Sequence, residues 1–181
     1  MKATGIVRRI DELGRIVIPK EIRRIYKIRE GTPLEIFSGD NGELVLKKFS
    51  PILELEDISK DACKSVFEVL EQNVFICDKD TIISCEGSTT FKKNYLHKNI
   101  TLDLEKIIEN RKAIILNLKD GANLFSLFKD QIVDFTCVII VPILANGDTY
   151  GAMAIVGDST FTNNEVKIIQ TFTNFLNLQI E

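Results

Sequence analysis

The pattern of apolar positions changes twice along this chain and divides it into three stretches. Up to about residue 50, short β-branched runs alternate with turn residues, which is typical of strands. From residue 52 onward, apolar residues recur every three or four positions, as on one face of a long helix. Strand-like runs return later and end in a second helical stripe. We therefore predict domains over 1–50 and 73–181, joined by a connecting and oligomerisation helix over 51–72.

The first stretch predicts two strands, a helix and two more strands. Pro19 ends the second strand and suits the first position of a helix, where its missing N–H costs nothing. Asn41-Gly42 favours a two-residue hairpin turn between the last two strands, because both residues tolerate positive φ. The predicted elements are strands over 3–10, 15–18, 34–38 and 44–49 and a helix from Pro19 to about Lys27.

The predicted helix carries its cations on one face. Lys20, Arg23, Arg24 and Lys27 follow the spacing i, i+3, i+4 and i+7, whereas Ile22, Ile25 and Tyr26 fall on the opposite side. Arginines on the adjoining strands extend this basic surface. We predict that double-stranded DNA binds through six side chains: Arg8, Arg9, Arg15, Lys20, Arg23 and Arg24.

The formal net charge of −3 conceals a basic N-terminal region. Residues 1–50 contain 11 Lys and Arg against 7 Asp and Glu, whereas residues 51–181 contain 12 against 19. Charges further away than a Debye length of about 8 Å are largely screened. The acidic total therefore does not exclude DNA as the partner.

A domain of about fifty residues buries too little surface to be stable alone unless a metal, a disulfide or a partner chain supports it. Here Ile16-Val17-Ile18 and Leu44-Val45-Leu46 place apolar residues at consecutive positions, which indicates burial on both faces of their strands. We expect a second copy of the chain to cover the second face, so that the domain is a homodimer.

The segment from Gly5 to Arg24, GIVRRIDELGRIVIPKEIRR, resembles the AbrB-type swapped-hairpin DNA-binding family. The resemblance implies that two chains interleave their hairpins into one β-barrel and that arginines matching Arg8, Arg15, Arg23 and Arg24 contact DNA. It also implies that the shape and flexibility of DNA are read more than a strict consensus. An antitoxin-like protein that binds a partner through a C-terminal tail is the alternative on this scaffold, although the following region is too apolar and periodic for a disordered tail.

The region beyond residue 73 predicts an α+β domain with an antiparallel sheet flanked by helices. Asn146-Gly147 favours a hairpin between the last two strands, and Thr162 with Glu165 forms a capping box at the start of the final helix. The predicted strands are 74–77, 81–85, 113–116, 136–144 and 149–156. This arrangement resembles a GAF sensory domain, which implies either a small-molecule effector between sheet and helices or an empty dimerisation element. A metabolite-sensing regulator therefore remains an alternative.

Matching residues lie in both regions: Leu34-Glu35-Ile36-Phe37, Ile76-Cys77-Asp78 and Ala145-Asn146-Gly147-Asp148. On these residues the two regions together resemble a family of regulators from endospore-forming bacteria. The resemblance implies activation or repression of forespore genes late in sporulation. It also implies a homotetramer formed through the terminal helices and the GAF-like domain. Residues 86–135 share few positions with this family. The resemblance therefore does not identify an effector or its pocket.

Other chemistry is expected to be absent. We find no phosphate-binding loop, nucleophile with a paired base, or metal-ligand cluster, and so predict no enzyme activity, cofactor or metal. His97 and the Asp78-Lys79-Asp80 stretch are interpreted as loop and turn residues. The chain has no signal peptide or membrane-length apolar run, which favours the cytoplasm without membrane contact. The cysteines lack a CxxC pair and are interpreted as reduced packing residues: Cys63, Cys77, Cys85 and Cys137.

Overall fold

The computed structural model describes residues 5–180 and divides between Phe49 and Ser50 into two compact units. We call them the N-terminal unit and the C-terminal unit. The N-terminal unit contains helix α1, Lys20–Ile25, and strands β1, Leu34–Ser38, and β2, Leu44–Lys48. The two strands pair antiparallel, which confirms the hairpin predicted there.

The connection between β1 and β2 is a three-residue loop, not the two-residue turn that Asn41-Gly42 predicted. The backbone N–H of Gly39 donates to the carbonyl oxygen of Glu43 at 2.8 Å, and that of Gly42 donates to Gly39 at 3.2 Å. Of the two turn residues only Gly42 has positive φ, at 74°. One left-handed residue fits a type I turn with a bulge, whereas the two-residue turn needs two.

The strands predicted over 3–10 and 15–18 do not form as strands in the described chain, and Ala3 and Thr4 lie outside the described residues. The two segments are joined where the N–H of Asp11 donates to the carbonyl oxygen of Arg15 at 3.0 Å. A strand needs partners for its backbone N–H and C=O groups. Among the described residues, no backbone segment pairs with residues 5–10 or 16–18 as a strand.

Helix α1 begins at Lys20, one residue after the predicted start at Pro19, which is the N-cap, and it ends at Ile25. The N–H of Ile28 donates to the carbonyl oxygen of Arg23 at 2.8 Å, and Lys27 has a left-handed φ of 50°. This is the Schellman geometry in which the residue after the cap leaves the helix. Lys27 is therefore not part of the helical face on which the sequence pattern placed it.

The C-terminal unit contains a five-stranded antiparallel sheet in the order β4-β3-β7-β6-β5. The strands are β3 Asn73–Asp78, β4 Ile82–Glu86, β5 Ile114–Asn117, β6 Cys137–Ala145 and β7 Asp148–Gly157. The helices are α2 Pro51–Glu54, α3 Glu56–Leu70, α4 Thr89–Tyr95, α5 Leu102–Glu109 and α6 Asn163–Ile180, with a 3-10 turn over Leu118–Asp120. Each predicted strand is present, and Asn146 and Gly147 form the predicted two-residue turn with φ of 49° and 79°.

Helices cover both faces of this sheet. Alternate residues of β6 point to opposite sides, so that Ile139 joins the core beneath α2, α3 and α6, whereas Ile140 joins the core beneath α4 and α5. The single helix predicted over 51–72 is broken at Leu55, where ψ is 27°. The break lets the two pieces pack on different strands: α2 lies on β3 and β7, and α3 lies on β3 and β4.

Local predictions in the C-terminal unit are also confirmed. The N–H of Thr162 donates to Glu165 Oε2 at 2.8 Å, and Thr162 Oγ1 accepts from the N–H of Asn164 at 3.2 Å, so a capping box opens α6. All four cysteines are free, and burial raises the pKa of Cys63 to about 12. Over residues 5–180, no helix is both long enough and apolar enough to cross a membrane.

Candidate nucleic-acid interface

The six side chains predicted to contact DNA are all exposed in the N-terminal unit. Lys20, Arg23 and Arg24 lie on α1 at i, i+3 and i+4, so the helix brings these three cations together on one face. Arg8, Arg9 and Arg15 lie on the two segments that precede the helix. The sequence pattern therefore identified cations that the fold leaves accessible on two consecutive elements.

The opposite face of α1 is not covered within the single chain. Ile25 and Tyr26 are exposed, and no residue of the helix is buried. An amphipathic helix is stabilised in a protein mainly by packing of its apolar face. The described N-terminal unit does not provide that packing.

The loop that precedes Arg15 is held by the carboxylate of Asp11. Its Oδ1 accepts from the backbone N–H of Leu13 at 3.0 Å and of Arg15 at 2.8 Å. Its Oδ2 accepts from Nε of Arg15 at 2.8 Å. Asp11 is not among the six side chains that the sequence predicted for this surface. An Asp that opens a glycine-containing turn, with an Arg four positions later, is the signal that could have identified it.

A further cation of the unit is fixed on β2. The ammonium group of Lys47 lies 4.6 Å from the centre of the Phe37 ring on β1. Phe37 is opposite Val45 in the strand pairing, so Lys47 is its diagonal neighbour on the same face. This cation–π contact was missed because it depends on the pairing of the strands rather than on local spacing.

In the C-terminal unit, an aromatic cluster lies between the sheet and helices α4 and α5. Tyr95 stacks on Phe91 at a ring distance of 3.9 Å and meets Phe128 edge-on at 4.7 Å. Its hydroxyl accepts from Nε2 of Gln131 at 2.6 Å. The larger opening nearby is a shallow groove of about 610 Å³ between the end of α4 and residues 128–134. Aromatic side chains thus pack in the region where the GAF resemblance implied an effector.

Residues 54–181 match the family described as stage V sporulation protein T C-terminal, transcription factor. Stage V sporulation protein T of Bacillus subtilis (strain 168) is 46% identical over 182 residues, covering 100% of this chain and 99% of that protein. The chain belongs to the stage V sporulation protein T family. It is accordingly a DNA-binding transcription regulator of sporulation.

The N-terminal unit of this chain matches a second group of proteins. Residues 7–52 match the family described as antidote-toxin recognition MazE, bacterial antitoxin. The transition state regulatory protein AbrB of Bacillus subtilis (strain 168) is 40% identical over 88 residues, which is 49% of this chain and 82% of that protein. The predicted AbrB-type domain is confirmed. Over the described residues, a folded sheet and helices follow this domain, where the antitoxin-like alternative expected a disordered tail.

The C-terminal unit has the predicted GAF-like fold. The GAF domain from the Acinetobacter phosphoenolpyruvate-protein phosphotransferase superposes with a TM-score of 0.58, covering 70% of this chain and 81% of that structure. The sequences are 14% identical, so the likeness concerns the fold alone.

Proposed function

We propose that this chain binds double-stranded DNA as an interleaved homodimer, through Arg8, Arg9, Arg15, Lys20, Arg23 and Arg24 of both copies. The observation that carries the proposal is the burial of the N-terminal unit: none of its described residues is buried. Large apolar side chains nevertheless make up much of its exposed surface. They are Ile6, Val7, Ile10, Leu13, Ile16, Val17, Ile25, Tyr26, Ile36, Phe37, Leu44, Leu46 and Phe49.

An uncovered apolar surface of this kind is typical of an interaction site. Covering one Ile or Val completely contributes about 1.5–3 kcal/mol, so a second copy would supply the stability that the single unit lacks. Residues 5–10 and 16–18 form no strand ladder with other described residues, which supports the same assembly, because a partner's segments can complete such ladders. The cations of α1 would then face outward from both halves of the dimer.

The chemistry of the six side chains fits DNA. Arg and Lys neutralise phosphates and release bound counterions, and the planar guanidinium group also matches guanine edges in the major groove. A dimer that uses about eight such contacts should lose about 10³- to 10⁵-fold in affinity between 50 and 200 mM salt.

The test is the double variant Arg23→Ala/Arg24→Ala in the full chain. Fluorescence anisotropy with a labelled genomic duplex should show weaker binding at every salt concentration. Loss of about four phosphate contacts per dimer should also reduce the slope of log affinity against log salt by about 3 to 4.

The matched control is Lys112→Ala/Lys119→Ala, which removes two exposed cations from the C-terminal unit. It should bind DNA as the wild type does, because these charges lie outside the proposed surface. Undiminished binding by a folded, dimeric Arg23→Ala/Arg24→Ala variant would contradict the role of α1.

We also propose that the dimers pair into tetramers through the terminal helices. Helices α3 and α6 pack on the same face of the sheet and on each other. Val69 of α3 and Phe175 and Leu178 of α6 remain exposed on them. These side chains would be covered by the helices of a second dimer, with the GAF-like unit providing the rest of the contact.

The place and manner of action follow from the family. A sporulation regulator that binds DNA acts where the chromosome lies, so we propose the cytoplasm, on the nucleoid, and within it the forespore. We further propose that it acts by binding, without catalysis. Similarity to a transcription factor over the full chain supports this view.

A further inference from the structure

The turn from Asp11 to Arg15 is held by several hydrogen bonds. The N–H of Gly14 donates to the carbonyl oxygen of Asp11 at 3.0 Å, and Gly14 has a φ of 74° that a side chain would oppose. Together with the three bonds accepted by the Asp11 carboxylate, these contacts fix the backbone from Asp11 to Arg15.

The bond between Asp11 Oδ2 and Nε of Arg15 also fixes the guanidinium plane. Nε and the two terminal nitrogens of Arg lie in one plane. When Nε is bonded to Asp11, the two terminal amino groups stay available as a planar pair of donors. Such a fork-shaped pair matches O6 and N7 of guanine or two oxygens of one phosphate. A side chain that is already oriented loses less conformational freedom when it binds.

Stability does not account for this pair. Its side chains are 70% and 42% exposed, and exposed pairs of this kind contribute little to folding. Asp11 also reduces the positive charge of a surface proposed to attract phosphates, which is unfavourable for general affinity. Hydrogen bonds from the backbone N–H and the guanidinium of Arg15 lower the pKa of Asp11, so the carboxylate is ionised at neutral pH.

We propose that Asp11 is a positioning residue that holds the guanidinium of Arg15 for recognition of base edges, so that it contributes to sequence discrimination rather than to overall affinity. The inference rests on the proposed function, because it assumes that Arg15 faces DNA. It assigns different work to two sets of cations: those of α1 bind the backbone, and Arg15 discriminates between sequences.

The test is Asp11→Asn in the full chain. The amide oxygen can still accept from the N–H groups of Leu13 and Arg15, whereas the charge that holds Nε is removed. The probes are a 30-bp duplex that the wild type enriches from a random-sequence pool and a shuffled duplex of the same composition. We expect Asp11→Asn to reduce the preference for the enriched duplex about fivefold or more, since one bidentate contact gives about 1–3 kcal/mol of discrimination. Affinity for the shuffled duplex should stay the same or rise.

The control in the same loop is Glu12→Gln, which removes an exposed acid one position away and should leave the preference unchanged. A second control combines Asp11→Asn with Arg15→Ala. In the absence of the Arg15 side chain, Asp11→Asn should not change the preference further. A preference that survives Asp11→Asn, or a loss that persists without Arg15, would overturn the positioning role.

Two further measurements keep the outcomes distinct. If Asp11→Asn does not form a folded dimer, Arg15→Lys decides the question, because it keeps the charge and lacks the fork. An unchanged preference in Arg15→Lys overturns the inference. If the wild type binds neither duplex with a salt-dependent affinity, the proposed function itself fails.

Discussion

The two units of this chain bury their apolar side chains in different ways. In the C-terminal unit one chain suffices, because helices cover both faces of the sheet and Phe75, Ile139 and Ile155 are fully buried. In the N-terminal unit the described residues bury none of their apolar side chains. The C-terminal fold is therefore contained in a single chain, whereas we infer that the N-terminal fold needs a second one.

This difference connects assembly to DNA binding. If the N-terminal unit is completed only by a partner, its cations form a two-fold surface only in the dimer. DNA affinity should then depend on protein concentration in a way that the stability of the C-terminal sheet does not. If the C-terminal units also pair, as proposed above, they raise the effective concentration of the N-terminal units.

Replacement of Ile16 by Ala should have the largest effect. Ile16 is 53% exposed in the single chain, where its loss would cost little, but it would be buried in an interleaved dimer. We expect a loss of about 2–5 kcal/mol per chain, counted twice in the dimer. Sedimentation across a concentration series and thermal unfolding of the full chain measure it.

The control is Ile132→Ala, whose side chain is 88% exposed in a loop of the C-terminal unit. It should change the free energy of unfolding by no more than about 0.5 kcal/mol. If both substitutions change the free energy of unfolding by equally small amounts, Ile16 is exposed in the assembled protein as well. The inference that the N-terminal fold needs a second chain would then be wrong.

Within the C-terminal unit, Leu104→Ala should cost about 2–5 kcal/mol whatever the protein concentration. Leu104 on α5 is fully buried, whereas Leu102 on the same helix is 63% exposed. Leu102→Ala is therefore the matched control and should cost about 0.5 kcal/mol or less. Denaturant unfolding of the two variants gives both values, and similar losses would show that this face of the sheet is not a single-chain core.

What could be predicted from the sequence follows the same division. The strands of the C-terminal unit were predictable because apolar runs end at local turn signals such as Asn146-Gly147, and the capping box of Thr162 and Glu165 is equally local. The cations of α1 were predictable from helical spacing. Features that depend on distant partners were not. The break at Leu55 is set by packing on different strands, and the periodicity continues across it.

The segments before α1 were the harder case. Their β-branched residues predicted a strand over 15–18, and the turn from Asp11 to Arg15 does form, yet no described segment pairs with residues 16–18 as a strand. Propensity indicates only that a segment can pair, and the partner must come from the fold or from another chain. The ion pair of Asp11 and Arg15 was missed for a related reason, since it depends on the loop conformation.

The smallest effects concern two carboxylates of the C-terminal unit whose pKa values are shifted in opposite directions. Burial raises the pKa of Asp78, against the opposing effect of N–H donors from Thr81 and Asp80 and the hydroxyl of Ser50 at 3.1 Å. Hydrogen bonds from the hydroxyl and backbone N–H of Thr162 lower the pKa of Glu165. Both carboxyls accept their bonds within one chain, so their effects should not depend on assembly.

Because its folded pKa lies above the unfolded value, ionised Asp78 destabilises the fold above the folded pKa, and the cost is lost as pH falls toward the ordinary range of Asp. Asp78→Asn keeps an oxygen for the two N–H donors and should be slightly more stable than the wild type at pH 7, with an advantage that shrinks toward about pH 4. Glu165 has the opposite sign: Glu165→Gln should be less stable at pH 7 by about 0.3–1 kcal/mol, and the deficit should vanish as pH falls through the lowered pKa. Denaturant unfolding of both variants and the wild type from pH 7 down to about pH 2.5 measures the two slopes, and slopes of the same sign would contradict the environments assigned to these carboxylates.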